Sequence, residues 1–134
     1  MKFKRAKARH LRLGERGENL AAALLRSKNI HVLCRNYKVK AGEIDIVARD
    51  GAVLVFVEVK TSHKPANRPA ANLRIKQKRR IYRAANNYLK AIGHPAVMYR
   101  FDLIEIVFER SLLKEARHWQ KHFSGREIGF EKNY

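Results

Sequence analysis

A chain of 134 residues that is 46% hydrophobic suits one globular domain with a modest core, and leaves no room for a second of ordinary size. Thirty Lys and Arg against twelve Asp and Glu give a formal charge of +18, a field that favours polyanions, nucleic acid first among them. No run approaches the roughly 18 apolar residues of a spanning helix, and the basic segments lack Trp or Phe anchors on an opposite face, so no membrane partner is expected.

The first twelve residues, MKFKRAKARHLR, hold six Lys or Arg and no acid, and no apolar stretch follows that could form a signal-peptide core. Residues 1–12 therefore read as a basic, disordered, phosphate-binding arm, although an Arg-rich start also imitates an organelle presequence. Residues 13–123 form the expected domain and 124–134 a polar tail. Cys34 is the sole cysteine, which excludes an internal disulfide and a thiolate zinc cluster and fits a reducing cytoplasm.

From Gly14 to Asn29 the spacing of Leu20, Ala21, Leu24 and Leu25 predicts a helix. Ile30 to Val39 is β-like. Gly42 to Asp50 (GEIDIVARD) and Ala52 to Thr61 (AVLVFVEVKT) are two β-branched runs joined through Asp50-Gly51, a strong hairpin signal. His63 to Pro69 is loop. A long helix is expected from about Ala70 to Ile92, with Ile81, Ala84, Ala85, Tyr88, Leu89 and Ile92 on one stripe before Gly93 and Pro95 stop it. Phe101 to Phe108 alternates as a strand, and Glu115 to Phe123 reads either as a short helix or as the return strand of a hairpin. This order of elements implies an α/β domain with a mixed central sheet flanked by helices.

The hairpin gathers the chemistry. A two-residue turn at Asp50-Gly51 sets Arg49 opposite Ala52, Asp45 opposite Phe56 and Glu43 opposite Glu58, with all these acids on one face. Lys60 joins that face by alternation, while Val53, Val55, Val57 and Val59 point to the other. Asp45 and Glu58 then become diagonal neighbours, roughly 7–8 Å apart at the backbone. Two carboxylates at that spacing can share one hard cation such as Mg²⁺. A single acid on a strand is usually just solvated. Here the acids sit among VLVFV-type neighbours, where unpaired carboxylates are costly, and Glu43 would repel Glu58 without a cation.

The stretches GERGENLAAALL, NYKVKAGEIDIVARDGAVLVFVEVKT, KQKRRIYRAANNYL and RFDLIEI together resemble the YraN family of small bacterial proteins, whose members are similar to Holliday-junction resolvases and other PD-(D/E)xK nucleases. The resemblance runs from about Leu13 to Phe123, and its GEID…FVEVK core is highly specific. It implies the restriction-endonuclease-like fold, with Asp45 and the Glu58-Val59-Lys60 tripeptide as the active-site motif and a further carboxylate from the first helix. The chain departs from the pattern at Ile44, where the motif has proline, and at Lys38 and Ser62, where relatives often carry arginine.

Glu18 has Ala21, Ala22 and Leu25 at i+3, i+4 and i+7, on the edge of the buried face, and is the choice for that further ligand over Glu15. Either glutamate would also favour the helix N-terminus, an effect of only ~0.3–1 kcal/mol. In the second helix Lys76, Arg80, Arg83, Asn87 and Lys90 form a basic stripe. From Lys60 to Arg100 there are eleven Lys or Arg and no acid, more than solubility needs, which points to phosphate contact. Lys78 lies three residues before Ile81, and either reaches the acidic face or snorkels.

His118 and His122 are four apart, but the segment lacks the glutamate of HExxH, so zinc is not expected. No GxSxG elbow, Walker loop or GxGxxG fingerprint appears. The leading expectation is a Mg²⁺- or Mn²⁺-dependent nuclease acting on DNA, with Asp45, Glu58, the Val59 carbonyl and Glu18 as metal ligands and Lys60 orienting water. Its rivals are a non-catalytic nucleic-acid-binding module of the same fold and, more weakly, a protein-interaction factor. A resolvase-like role would require two sites, hence a homodimer.

Overall fold

A computed structural model of the chain describes residues 2–63 and 73–130, with side chains from residue 13 onward. Its elements run α1 (Lys2–Ser27), β1 (His31–Val39), β2 (Gly42–Asp50), β3 (Val53–Ser62), α2 (Ile75–Ala91), β4 (Tyr99–Glu109) and β5 (Leu112–Phe123). The strands form one sheet in sequence order, β1-β2-β3-β4-β5. Neighbours are antiparallel except β3 and β4, which run parallel and are joined through α2. This is the α/β, restriction-endonuclease-like arrangement that the sequence leads one to expect.

Each face of the sheet is packed against a helix. Ile46, Ala48, Val55, Val57, Ile104, Ile106 and Phe108 meet Ala21, Ala22 and Leu25 of α1. Ile44, Val47, Leu54, Phe56, Phe101 and Leu103 meet Ile81, Ala84, Ala85 and Leu89 of α2. The α2 side is aromatic: Phe101 stacks on Phe123 with centroids 4.6 Å apart, and Phe56 touches Tyr88 edge-on.

Two glycines let the helices come close. A Cβ on Gly42 would sit 2.0 Å from the carbonyl oxygen of Arg80, so α2 can lie on the start of β2 only because that side chain is a hydrogen. On the other face, a Cβ on Gly17 would meet Thr61 Oγ1 at 2.2 Å. Both glycines immediately precede an acid of the candidate site, Glu43 and Glu18.

The hairpin differs from expectation in register. Asp50 pairs with Val53, Arg49 with Leu54 and Val47 with Phe56, so the turn is Gly51-Ala52 and not Asp50-Gly51. Gly51, at φ 59°, is the only residue of the turn with positive φ, which suits the first central position of a type II′ turn. The slip is two residues, an even number, so the faces expected for β3 survive while the partners change. Val55 and Val57 do face away from Phe56.

Residues 64–72, most of the expected loop and the start of the expected second helix, lie outside the described residues, and so do the side chains of the basic segment 1–12, where the backbone already belongs to α1. Glu115 to Phe123 is the return strand. Of the expected polar tail, residues 131–134 lie outside the described residues and residues 124–130 pack: Ile128 is buried, its carbonyl accepts a hydrogen bond from Arg79 Nε at 3.2 Å, and the Phe130 ring lies 5.1 Å from that of Tyr82.

Candidate active site at the fork of β2 and β3

The β2–β3 ladder closes with Ile46 opposite Val57 and goes no further. Alternation also breaks there. Ile44 belongs to the α2 core and Ile46 to the α1 core, although residues two apart on a regular strand share a face. On β1, Asn36 takes a left-handed φ of 54° between Arg35, which reaches Glu18 of α1, and Tyr37, which contacts Tyr88 of α2. Asn tolerates that conformation better than most residues. The irregularity frees Asp45 from both cores and turns its carboxylate toward β3, where Oδ2 accepts the Val59 N–H at 2.8 Å.

Asp45 is also hydrogen-bonded to Glu58, the two carboxyls meeting half-buried at the fork. Burial, the charge of Asp45 and that hydrogen bond push the Glu58 carboxyl up to about 9, against the pull of Lys60. Asp45 is raised as well, by burial first, with the Val59 N–H and Glu58 bonds opposing. The proton of the shared hydrogen bond therefore resides mainly on Glu58, while the Val59 N–H favours the ionised form of Asp45.

Two further acids bear on the pair. Glu43 is exposed and adds its charge to both. Glu18 of α1 is raised by burial and by the charge of Asp45, and it is held by Arg35, Nη2 to Oε2 at 3.6 Å. Lys38 and Lys60 are the cations that favour ionisation of Asp45 and Glu58 respectively. The structure thus brings Asp45 and Glu58 into contact and sets Glu18 and Lys60 within their electrostatic reach, with Val59 contributing its N–H. Among the described residues no three His, Cys, Asp or Glu side chains form a ready-made metal cluster. The donor set nonetheless fits a hard divalent cation: two adjoining oxygen donors repel each other unless a proton or a cation lies between them.

The basic stripe is where periodicity puts it. Lys76, Arg80, Arg83 and Lys90 are exposed along α2, opposite the buried Ile81, Ala84, Ala85 and Leu89. Asn87 is engaged, its Oδ1 accepting the Tyr37 hydroxyl at 2.5 Å, and Arg83 lies 5.3 Å from the centre of the Phe130 ring.

Sequence reasoning missed the acids of β4. Asp102 is fully buried and accepts bonds from Arg100 Nε at 3.0 Å, His118 Nε2 at 2.8 Å and Lys121 N at 3.1 Å; Lys28 Nζ meets His118 Nδ1 at 2.9 Å, and Arg100 reaches Asp50. This network ties the C-terminal end of α1 to the sheet, and it occupies His118, which therefore does not pair with His122. Glu105 is buried between Lys60 on β3 and Arg117 on β5, its register partners. Two acids within the otherwise apolar FDLIEIVF were the available signal, since a strand covered by a core on each face has no solvated side for them.

Residues 17–106, spanning α1 to β4 with Glu18, Asp45, Glu58 and Lys60, match the model of Uncharacterised protein family UPF0102. The chain belongs to this family. It is 40% identical over 96 residues to a UPF0102 protein of Symbiobacterium thermophilum, covering 71% of this chain and 81% of that one. A UPF0102 protein of Pelotomaculum thermopropionicum is 38% identical over 120 residues, 88% of this chain and 99% of its own length. One from Geobacter sulfurreducens is 45% identical over 96 residues, 70% of this chain and 74% of that one. Among the described residues of this UPF0102 member, no helix is long and apolar enough to cross a membrane.

Proposed function

We propose that this UPF0102 protein is a divalent-metal-dependent nuclease that hydrolyses phosphodiester bonds of DNA, branched or damaged structures included, in the cytoplasm. The observation that carries the reading is the hydrogen-bonded Asp45–Glu58 pair at the strand fork, with Lys60 beside it. A carboxyl as far from its ordinary range as that of Glu58 marks a site arranged for something other than stability, because the same burial costs folding energy.

Asp45, Glu58 and the Val59 carbonyl would hold Mg²⁺ or Mn²⁺, with Glu18 as a further oxygen donor. The ion supplies Lewis-acid polarisation of the scissile phosphate and a water of lowered pKa. The protein's own residues do the rest. Glu58 would hold the ion as a carboxylate, its proton released to solvent. Lys60 orients the attacking water and offsets charge gathering on the phosphate oxygens. Arg35 holds the Glu18 carboxylate, within the electrostatic reach of Asp45. Lys76, Arg80, Arg83 and Lys90 grip flanking phosphates, which positions the substrate without reading its sequence.

A second reading is favoured by that same Arg35–Glu18 pair, which satisfies Glu18 without a metal: a non-catalytic nucleic-acid-binding module. Incubating the protein with branched and linear DNA, with Mg²⁺, Mn²⁺ or chelator and with Asp45→Ala alongside, separates the two. Metal-dependent products that vanish in the variant support the nuclease, and binding without products supports the module. A junction-cleaving role further requires two sites and hence a homodimer, which sedimentation in the presence of DNA would reveal.

A further inference from the structure

On the α2 side of the sheet, past Lys60, the return strand is distorted. Leu103 of β4 pairs with Trp119 and Phe101 with Phe123, so three residues of β5, Gln120 to His122, lie against the single residue Asp102. Lys121 within this bulge has a left-handed φ of 51°. Bulges of this kind re-aim a side chain, and they gather beside active sites. His122 is the last residue of this bulge. Its Nε2 is buried and has no hydrogen-bond partner among the described residues, a costly state for an imidazole nitrogen.

Its charged neighbours are Lys78 of α2, Lys60 of β3 and Glu127 beyond β5. Lys78 Nζ lies 5.8 Å from the centre of the Phe123 ring, on the inward side of α2. Lys60 has Glu105 as its register partner. Burial and the two lysines lower the His122 pKa, with Glu127 opposing, so the ring is neutral at neutral pH. Two ammonium groups from two other elements thus bear electrostatically on an unpartnered ring nitrogen, and one of them, Lys60, also bears on Glu58 of the fork. A phosphate oxygen is a ligand that satisfies such a set: it accepts from the ammonium groups and from Nε2–H.

We infer that Lys78 and His122, with Lys60, form a phosphate subsite that takes a phosphodiester of the bound strand on the β5 side of the carboxylates. The inference rests on, and extends, the nuclease reading. Its residues are distinct from the exposed stripe of α2.

The test is a titration of metal-free, ¹⁵N-labelled full-length protein with inorganic phosphate, followed in imidazole and backbone amide spectra, with sodium chloride at matched ionic strength as reference. The His122 signals are identified by their loss in His122→Gln. They should shift saturably with phosphate and not with chloride. Lys78→Met, which keeps the aliphatic stem, should weaken phosphate about tenfold, as loss of a charge-assisted bond requires. His122→Ala should weaken it too, and His122→Gln, which retains a donor, should stay close to the native affinity. A shift that chloride reproduces, or an undiminished affinity in Lys78→Met, overturns the inference. Should His122→Ala fail to fold, the Lys78→Met and His122→Gln comparison decides alone. The titration involves neither metal nor turnover, so phosphate binding without DNA cleavage contradicts only the nuclease reading. DNA cleavage with an indifferent His122 contradicts only this inference.

Discussion

The Asp45 carboxylate stands in for a backbone carbonyl: Oδ2 accepts the Val59 N–H at 2.8 Å where β2 has ceased to pair with β3. A functional acid is thereby also a structural one, and two substitutions at the same position separate the roles. Asp45→Asn keeps an acceptor for Val59 and can donate to Glu58, while removing a charge from a crowded site. It should leave the metal-free protein as stable or more so. Asp45→Ala orphans the Val59 N–H and should cost about 1–3 kcal/mol. Chemical denaturation of the two variants checks this, and equal losses in both would mean that charge, not the hydrogen bond, is what Asp45 contributes.

The raised Glu58 carboxyl makes stability pH-dependent. Its folded value of about 9 lies above the ordinary 4.5, so between these the native state binds more protons than the unfolded chain. The stabilisation is fully present below pH 4.5 and is lost as pH climbs toward 9. Denaturant midpoints of the metal-free protein should fall across that window, and Glu58→Gln should flatten the fall. Metal affinity should rise over the same window, since the cation competes with the proton.

Asp102 gives the opposite limb. Burial alone would raise its carboxyl, but the bonds from His118, Arg100 and Lys121 outweigh burial and hold it below the usual carboxylate range. A depressed folded value contributes stability above the ordinary 3.8 that disappears as pH falls through the folded value. Asp102→Ala leaves the largely buried Arg100 short of its partner and should cost about 3–5 kcal/mol at neutral pH. Thermal melts at pH 7 and pH 3 should show the variant's deficit shrinking in acid.

Gly42→Ala and Gly17→Ala test how the helices frame the fork. The first forces a methyl against the Arg80 backbone, which can yield only if α2 moves, and should cost about 1–3 kcal/mol or more. The second meets a side-chain atom, Thr61 Oγ1, and should be recovered by adding Thr61→Ala. Calorimetry of the single and double variants measures both; failure of Thr61→Ala to rescue Gly17→Ala would show that the clash involves more than Oγ1.

Most of the architecture was legible because periodicity survives packing. The strand pattern of VLVFVEVK and the stripe of Ile81, Ala84, Ala85 and Leu89 are consequences of each face meeting one core. The register was not legible, because Asp-Gly reads as the centre of a turn, whereas the chain uses Gly51 as its first central residue and leaves Asp50 to pair with Val53 and bind Arg100. The break in alternation at Asp45 was hidden for a similar reason: it depends on Asn36 of the neighbouring strand and on the closeness of Glu58, neither of which local pattern encodes. Glu105 was signalled by its place in an apolar run, but its partners Lys60 and Arg117, like the surroundings of His122, come from distant segments and are invisible without the sheet order.

The measurement that bears most directly on the account is DNA cleavage by the native protein and by Asp45→Asn at matched DNA occupancy, with Mg²⁺ or Mn²⁺ and with chelator. Cleavage by the native protein is expected only with metal, none by the variant, and equal DNA binding by both, because Lys76, Arg80, Arg83 and Lys90 are untouched. Bound DNA left intact by the native protein in either metal, or cleavage that persists in Asp45→Asn, would contradict it.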